Sequence, residues 1–109
     1  MPEYRSIKDD VLTKLETHLP ELRDRFGIET IGIFGSVSRG EDTPDSDIDI
    51  LYKFSTQTIR LRQLMGFKEY LEELLGRNID LIGINWIDPA IRPAIENDMI
   101  LLTTEPAVA

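Results

Sequence analysis

Phe34-Gly35-Ser36-Val37-Ser38-Arg39-Gly40-Glu41-Asp42-Thr43-Pro44-Asp45-Ser46-Asp47-Ile48-Asp49-Ile50-Leu51 is the stretch on which the reading of this chain turns. An apolar run stops at Gly35-Ser36, a polar loop follows, and a second apolar run begins that carries Asp47 and Asp49. The spacing predicts a strand over Asp47 to Phe54. Residues two apart on a strand share a side, so Asp47 and Asp49 are expected on one face and Ile48 and Ile50 on the other. Paired carboxylates repel and cost stability unless something cationic joins them. A hard divalent ion such as Mg²⁺ fits, because it takes oxygen ligands from one or two carboxylates plus substrate phosphates. Gly35-Ser36 is the expected phosphate seat. Glycine lets the backbone come close, and its N–H groups and the Ser36 hydroxyl can donate to phosphate oxygens.

Working outward, Ile28 to Phe34 reads as a strand closed by Gly35. Ser36 to Gly40 reads as a short helical turn, and Thr43-Pro44-Asp45-Ser46 as turn chemistry. Upstream, Ser6 is expected to cap a helix whose Ile7, Val11, Leu12, Leu15 and Leu22 recur at helical spacing, with Pro20 splitting it in two and Gly27 ending it. Downstream, Leu61, Leu64, Leu71 and Leu75 mark a helix ending at Gly76, and Ile79 to Ile84 a third strand. Asp88-Pro89 reads as a cap and first helical position, leading to a helix face of Ile91, Ile95 and Met99. Ile100 to Leu102 reads as a short edge strand and 103–109 as a frayed tail. Helix, strand, strand, helix, strand, helix implies an α/β (α+β) fold: one small mixed sheet with helices packed on it, the two later strands joined through a helical crossover.

The 109 residues predict a single domain over 1–109. No cysteine is present, which removes disulfides, thiol catalysis and Cys-ligated zinc. No apolar run approaches the ~20 residues of a membrane span, and the N-terminus lacks a signal-peptide shape, so a cytoplasmic protein is expected. The formal net charge of −8 argues against stable nucleic-acid binding, which depends on Lys and Arg meeting phosphates. Two Mg²⁺ ions would reconcile that acidity with an anionic nucleotide. His18, the lone histidine, has no partner with which to share a metal and reads as a helix-end residue.

Asp80 is the third acid. It stands among Ile79, Leu81 and Ile82, where a charge needs a reason. If the second and third strands are neighbours, Asp80 faces Asp47 and Asp49. Three carboxylates there would hold two Mg²⁺ and position a hydroxyl for attack on phosphorus, with Asp80 able to accept its proton. Glu41, Asp42 and Asp45 read as solvated loop acids. The sequence argues against a covalent role for Ser36, since there is no G-x-S-x-G elbow and the lone histidine has no positioned partner, and no G-x-x-x-x-G-K-[ST] loop exists either.

Gly35-Ser36, ten residues, then Asp47-x-Asp49 resembles the GSx10DxD signature of the DNA polymerase β-like nucleotidyltransferase superfamily. Arg39-Gly40, Ser46-Asp47-Ile48-Asp49-Ile50 and Leu75-Gly76-Arg77-Asn78-Ile79-Asp80-Leu81-Ile82 are similar to its minimal branch, the MNT proteins, over about Leu12 to Leu102. The resemblance implies a polymerase β palm-like fold and an antitoxin paired with a HEPN-domain toxin. It implies an Mg²⁺-dependent transfer of AMP from ATP to a tyrosine hydroxyl of that partner. On that analogy Gly35 and Ser36 hold the triphosphate, Asp47 and Asp49 bind Mg²⁺, Asp80 completes the site, and Arg39 assists the phosphates. Larger members carry a second domain for the acceptor; at this length the acceptor is expected from a partner or another subunit, as a homo- or hetero-oligomer. Phe67, Tyr70, Trp86 and Ile87 are candidates for that contact or for the core. Two alternatives stay open: a non-catalytic antitoxin that neutralises by binding alone, and a transferase for a small, antibiotic-type hydroxylated molecule.

Overall fold

A computed structural model describes residues 3–56 and 58–104. Its order is α1 (Lys8–Thr17), α2 (Leu19–Phe26), β1 (Ile28–Phe34), α3 (Gly35–Arg39), β2 (Ile48–Phe54), α4 (Leu61–Leu75), β3 (Ile79–Gly83), a 3₁₀ turn (Ile84–Trp86), α5 (Arg92–Asp98) and β4 (Ile100–Thr103). The four strands form one mixed sheet in the order β3-β2-β1-β4. β1 runs antiparallel to both β2 and β4, while β2 and β3, linked through α4, are parallel. That is the expected architecture, and the parallel pair follows from a connection long enough to return the chain to the same end of the sheet.

Strand alternation sorts the core into two layers. Ile48, Ile50, Phe54 and Ile79 pack with Val11, Leu15 and Leu22 of α1 and α2 and with Phe67, Leu71 and Leu75 of α4. On the other face Leu51 packs with Ile87 and Ile95, flanked by Phe34, Ile82 and Met99. Asp49 precedes Leu51 by two and Asp80 precedes Ile82 by two, so both acids belong to the α5 face.

Several local expectations shift. Asp47 lies just ahead of β2, which starts at Ile48 where its N–H meets the Asn78 carbonyl at 3.0 Å. Asp88-Pro89 forms a turn rather than a helix start: Asp88 Oδ1 accepts the Ala90 N–H at 2.9 Å, and α5 begins at Arg92 with Pro93 in its first turn. A carboxylate two residues before a free N–H closes an Asx-turn as readily as it caps a helix. The tail expected from 103 begins too early, because Thr103 is in β4 and Thr104 is buried, its Oγ1 donating to the Ile28 carbonyl at 2.6 Å. Residues 105–109 lie outside the described residues. Of the four candidate contact residues, Phe67 and Ile87 are core, Tyr70 is half-buried, and Trp86 is 84% exposed. His18 sits at the α1–α2 junction with Nδ1 2.7 Å from the Lys14 carbonyl. Among the described residues no helix is long and apolar enough to cross a membrane.

Phe67 is fully buried, with its ring against Phe26, Tyr52 and Phe54 at 5.8, 5.9 and 5.8 Å between centroids. Emptying that position leaves a cavity that three other rings cannot close without moving apart. Phe67→Ala is therefore expected to cost about 3–5 kcal/mol in urea unfolding; a loss below about 1 kcal/mol would contradict this packing.

Candidate active site

The site grows from the junction of β1, α3 and β2. Gly35 follows the extended Phe34 and takes φ +74°, a left-handed conformation that glycine tolerates and other residues resist. The turn is pinned from below by the buried Val37, and the Ser38 hydroxyl donates back to the Gly35 carbonyl at 2.8 Å. Phe34 is the ladder partner of Asp49. A Cβ on Gly35 would stand 2.2 Å from Asp49 Oδ2, so only a residue without a side chain admits that carboxylate against the turn. Glycine is needed here for its space as well as for its φ.

On its other edge β2 pairs with β3, and the parallel register sets Asp49 opposite Asp80. Burial, then the Asp80 carboxylate, then that of Asp47, push the Asp49 carboxyl above its ordinary value of 3.8, while the Arg39 guanidinium pulls it down. Asp47, Asp80 and Arg39 are thus all close enough to Asp49 to be felt electrostatically. Asp49 is half-buried, and Asp47 and Asp80 are exposed. Among the described residues no group of three or more His, Asp or Glu side chains stands ready to hold a metal ion by itself. Asp49 and Asp80 are neighbours by register, and Asp47 is felt by Asp49 through its charge, without the three forming such a cage. Their donor chemistry nevertheless suits Mg²⁺. The ion commonly takes only one or two protein carboxylates and completes its shell with water and phosphate oxygens, and Asp49 carries a like-charge burden that a cation would relieve.

Arg39 is engaged elsewhere. Its Nη1 meets Asp98 Oδ2 at 2.6 Å, at the C-terminal end of α5, and its Nε meets Glu41 Oε1 at 3.3 Å. The Glu41 contact is the within-loop ion pair that sequence proximity suggests; Asp98, 59 residues away, is supplied only by the fold. Glu41 and Asp45 are exposed as expected, but Asp42 is not a solvated loop acid. It is 6% exposed and accepts hydrogen bonds from the Tyr4 and Ser6 hydroxyls and, at 3.1 Å, from the Ile7 N–H. Burial pushes its carboxyl up, but these donors outweigh burial and hold it below the usual range. Asp42 thus caps α1 from a distance. Ser6 takes part, its Oγ accepting the Lys8 N–H at 3.1 Å.

The chain matches the family model of the nucleotidyltransferase domain over residues 15–102. It is 45% identical over 92 residues, 84% of this chain and 92% of the other, to the protein adenylyltransferase MntA of Thermococcus cleftensis. Its structure is similar to one provisionally described as a minimal nucleotidyltransferase, with TM-score 0.70 and 30% identity over 85% of this chain and 93% of that one. It also resembles, with TM-score 0.52 and 17% identity over 86% of this chain and 66% of the other, a chain from a complex of the tri-AMPylated Shewanella oneidensis HEPN toxin with its MNT antitoxin. At that identity the last likeness shows the fold.

The like-charge pair has a measurable signature. An acid raised in the folded state keeps a proton that the unfolded chain releases, so its contribution to stability falls as pH rises from the ordinary 3.8 through the raised value. In metal-free buffer, Asp80→Asn is expected to move the Asp49 titration, followed by carboxyl ¹³C NMR, to lower pH. The same variant should be more stable than the parent at pH 7, with the difference vanishing in acid. An unmoved Asp49 titration would mean that the two carboxylates do not face each other.

Proposed function

The chain belongs to the nucleotidyltransferase domain family, and on that premise we propose that it transfers AMP from ATP to a tyrosine hydroxyl of a HEPN-type toxin, acting as the antitoxin of the pair. The observation that carries this reading is the seat of Asp49: one carboxylate lies against the Gly35 turn and opposite Asp80 in the ladder. That closeness of a glycine turn to acidic side chains supports reading the turn as the seat of the nucleotide phosphates. The similarity to a protein adenylyltransferase over most of both chains supports the reaction class, and the complex of an AMPylated HEPN toxin with an MNT antitoxin supports the partner.

In this reading the Gly35 and Ser36 N–H groups and the Ser36 hydroxyl donate to the triphosphate. Asp47 and Asp49 would hold Mg²⁺, with Asp80 completing the set. When bound, Mg²⁺ supplies charge neutralisation for the phosphates and stabilises the charge that develops on them. The tyrosine oxygen attacks the α-phosphorus, the bond to the β-phosphate oxygen breaks, and pyrophosphate leaves. Asp80, exposed at the start of β3, takes the tyrosine proton. Arg39, whose Nη1 and Nε are engaged by Asp98 and Glu41, would assist the phosphates with its remaining donors or by exchanging one of those anions. The partner supplies the acceptor, and the net charge of −8 suits a basic partner surface.

With α-³²P-ATP, Mg²⁺ and a co-purified HEPN-type toxin, the chain is expected to label the toxin, and the Asp47→Asn, Asp49→Asn double variant to leave it unlabelled. Neutralisation of the toxin by the double variant, with no label transferred by the unsubstituted chain, would replace catalysis by stoichiometric binding. Label on a small molecule in the absence of the toxin would instead identify a small-molecule transferase.

A further inference from the structure

We propose that Arg77, a residue outside the acid set, is the positioning residue that holds Asp47 at the site, by fastening the loop 43–46 to the start of the third strand. The inference rests on the reading of Asp47 as a metal-binding carboxylate. Asp47 belongs to no strand, so no ladder bond of its own fixes it. It is instead tethered on both sides to one short segment. Ahead of it, Arg77 Nη1 donates to the carbonyls of Thr43 at 2.7 Å and Ser46 at 3.1 Å; the Ser46 carbonyl belongs to the peptide bond that leads into Asp47. Behind it, the Ile48 N–H donates to the Asn78 carbonyl at 3.0 Å. Residues 77 and 78 therefore grip the backbone on either side of Asp47, and the same segment carries Asp80 two residues on.

The guanidinium is itself braced. Its Nη2 donates to the Tyr4 hydroxyl at 2.8 Å, and its carbon lies 5.8 Å from the Tyr4 ring centre. Tyr4 in turn donates to the buried Asp42 at the far end of the loop. Loop 43–46 is thus bounded by Arg77 on one side and by the Asp42 anchor at its origin. Arginine's planar fork can serve several acceptors at once, which a lysine ammonium on a flexible stem does less well. In a chain of net charge −8, this arginine directs its hydrogen bonds to two carbonyls and a hydroxyl. That use of a cation orders backbone beside an acidic site. It also leaves a positive charge next to a loop that would otherwise hold only Asp45 and Asp47. Residues of the loop, Asp47 and the segment 76–78, together with Glu72, line an open groove of about 670 Å³.

Partners that orient a metal ligand typically change metal affinity 10–100-fold when removed. The test is Mn²⁺ binding to the full chain in the presence of a non-hydrolysable ATP analogue, followed by the EPR signal of free Mn²⁺. Arg77→Ala is expected to weaken Mn²⁺ at least about 10-fold, and Arg77→Lys to weaken it less. Amide hydrogen exchange at 43–48 should accelerate in both, and AMP transfer should recover at saturating Mn²⁺. Should Arg77→Ala fail to fold, Arg77→Lys and Tyr4→Phe, which removes only the bracing hydroxyl, carry the same comparison. Mn²⁺ affinity equal to that of the unsubstituted chain in the folded variants overturns the positioning role and leaves the proposed function standing. Failure of the unsubstituted chain to bind Mn²⁺ with the nucleotide analogue overturns the metal reading and this inference together.

Discussion

The parallel pairing of β2 with β3 is the constraint on which the site depends. Ile48 lies opposite Ile79 and Asp49 opposite Asp80. A slip of one residue would turn Ile48, Ile50 and Ile79, all buried, toward the α5 face and bury the acids among the leucines and phenylalanines of the main core. The hydrophobic layer therefore chooses the register, and the register aligns the acids. The placement of the acids is held by apolar residues that carry no charge of their own.

The alignment is unfavourable in itself. Like charges directly across a ladder destabilise it, and the Asp49 carboxyl, pushed up first by its burial, is raised further by Asp80 and Asp47. The surrounding elements keep the strain in place. Gly35 gives the carboxylate room that any other residue would occupy, and Arg39, anchored by Asp98 at the end of α5, lends partial compensation. The like charge on Asp49 is a burden that a bound cation would relieve. The scaffold around it is rigid where it must be: α3 is short, its Val37 is buried, and the turn it starts is locked by the Ser38 hydroxyl.

Most of the elements were legible because their signals are local. Hydrophobic alternation marked β1, β2 and β3, the Gly27 and Gly76 stops marked the ends of α2 and α4, and Pro20 marked the break between α1 and α2. The misplaced boundaries fell where one local signal serves two structures. Asp88-Pro89 could open a helix or close a turn, and Asp47 could begin a strand or end a loop. Asp42, Arg77 and Asp98 were missed as structural partners for a different reason. Each is an ordinary charged residue in its own neighbourhood, and its meaning lies in a contact with a residue 31 to 59 positions away. Phe67 and Ile87, open to a partner role by sequence, went to the core: α4 presents Phe67 to the sheet, and Ile87, the extended residue just past the 3₁₀ turn, packs on Leu51.

The order of the residues was enough to fix an α/β sheet and to single out the Gly35-Ser36 bend and the acids Asp47, Asp49 and Asp80 as candidates on it, because glycine, alternation and in-strand charge are properties of a few adjacent positions. Only the folded chain decided which acids stand beside one another, that Asp42 is buried under Tyr4 and Ser6, and that Arg77 grips the loop before Asp47. Those outcomes depend on strand register and on packing between distant segments, where the energy of burying a core selects one arrangement among many that the local pattern allows.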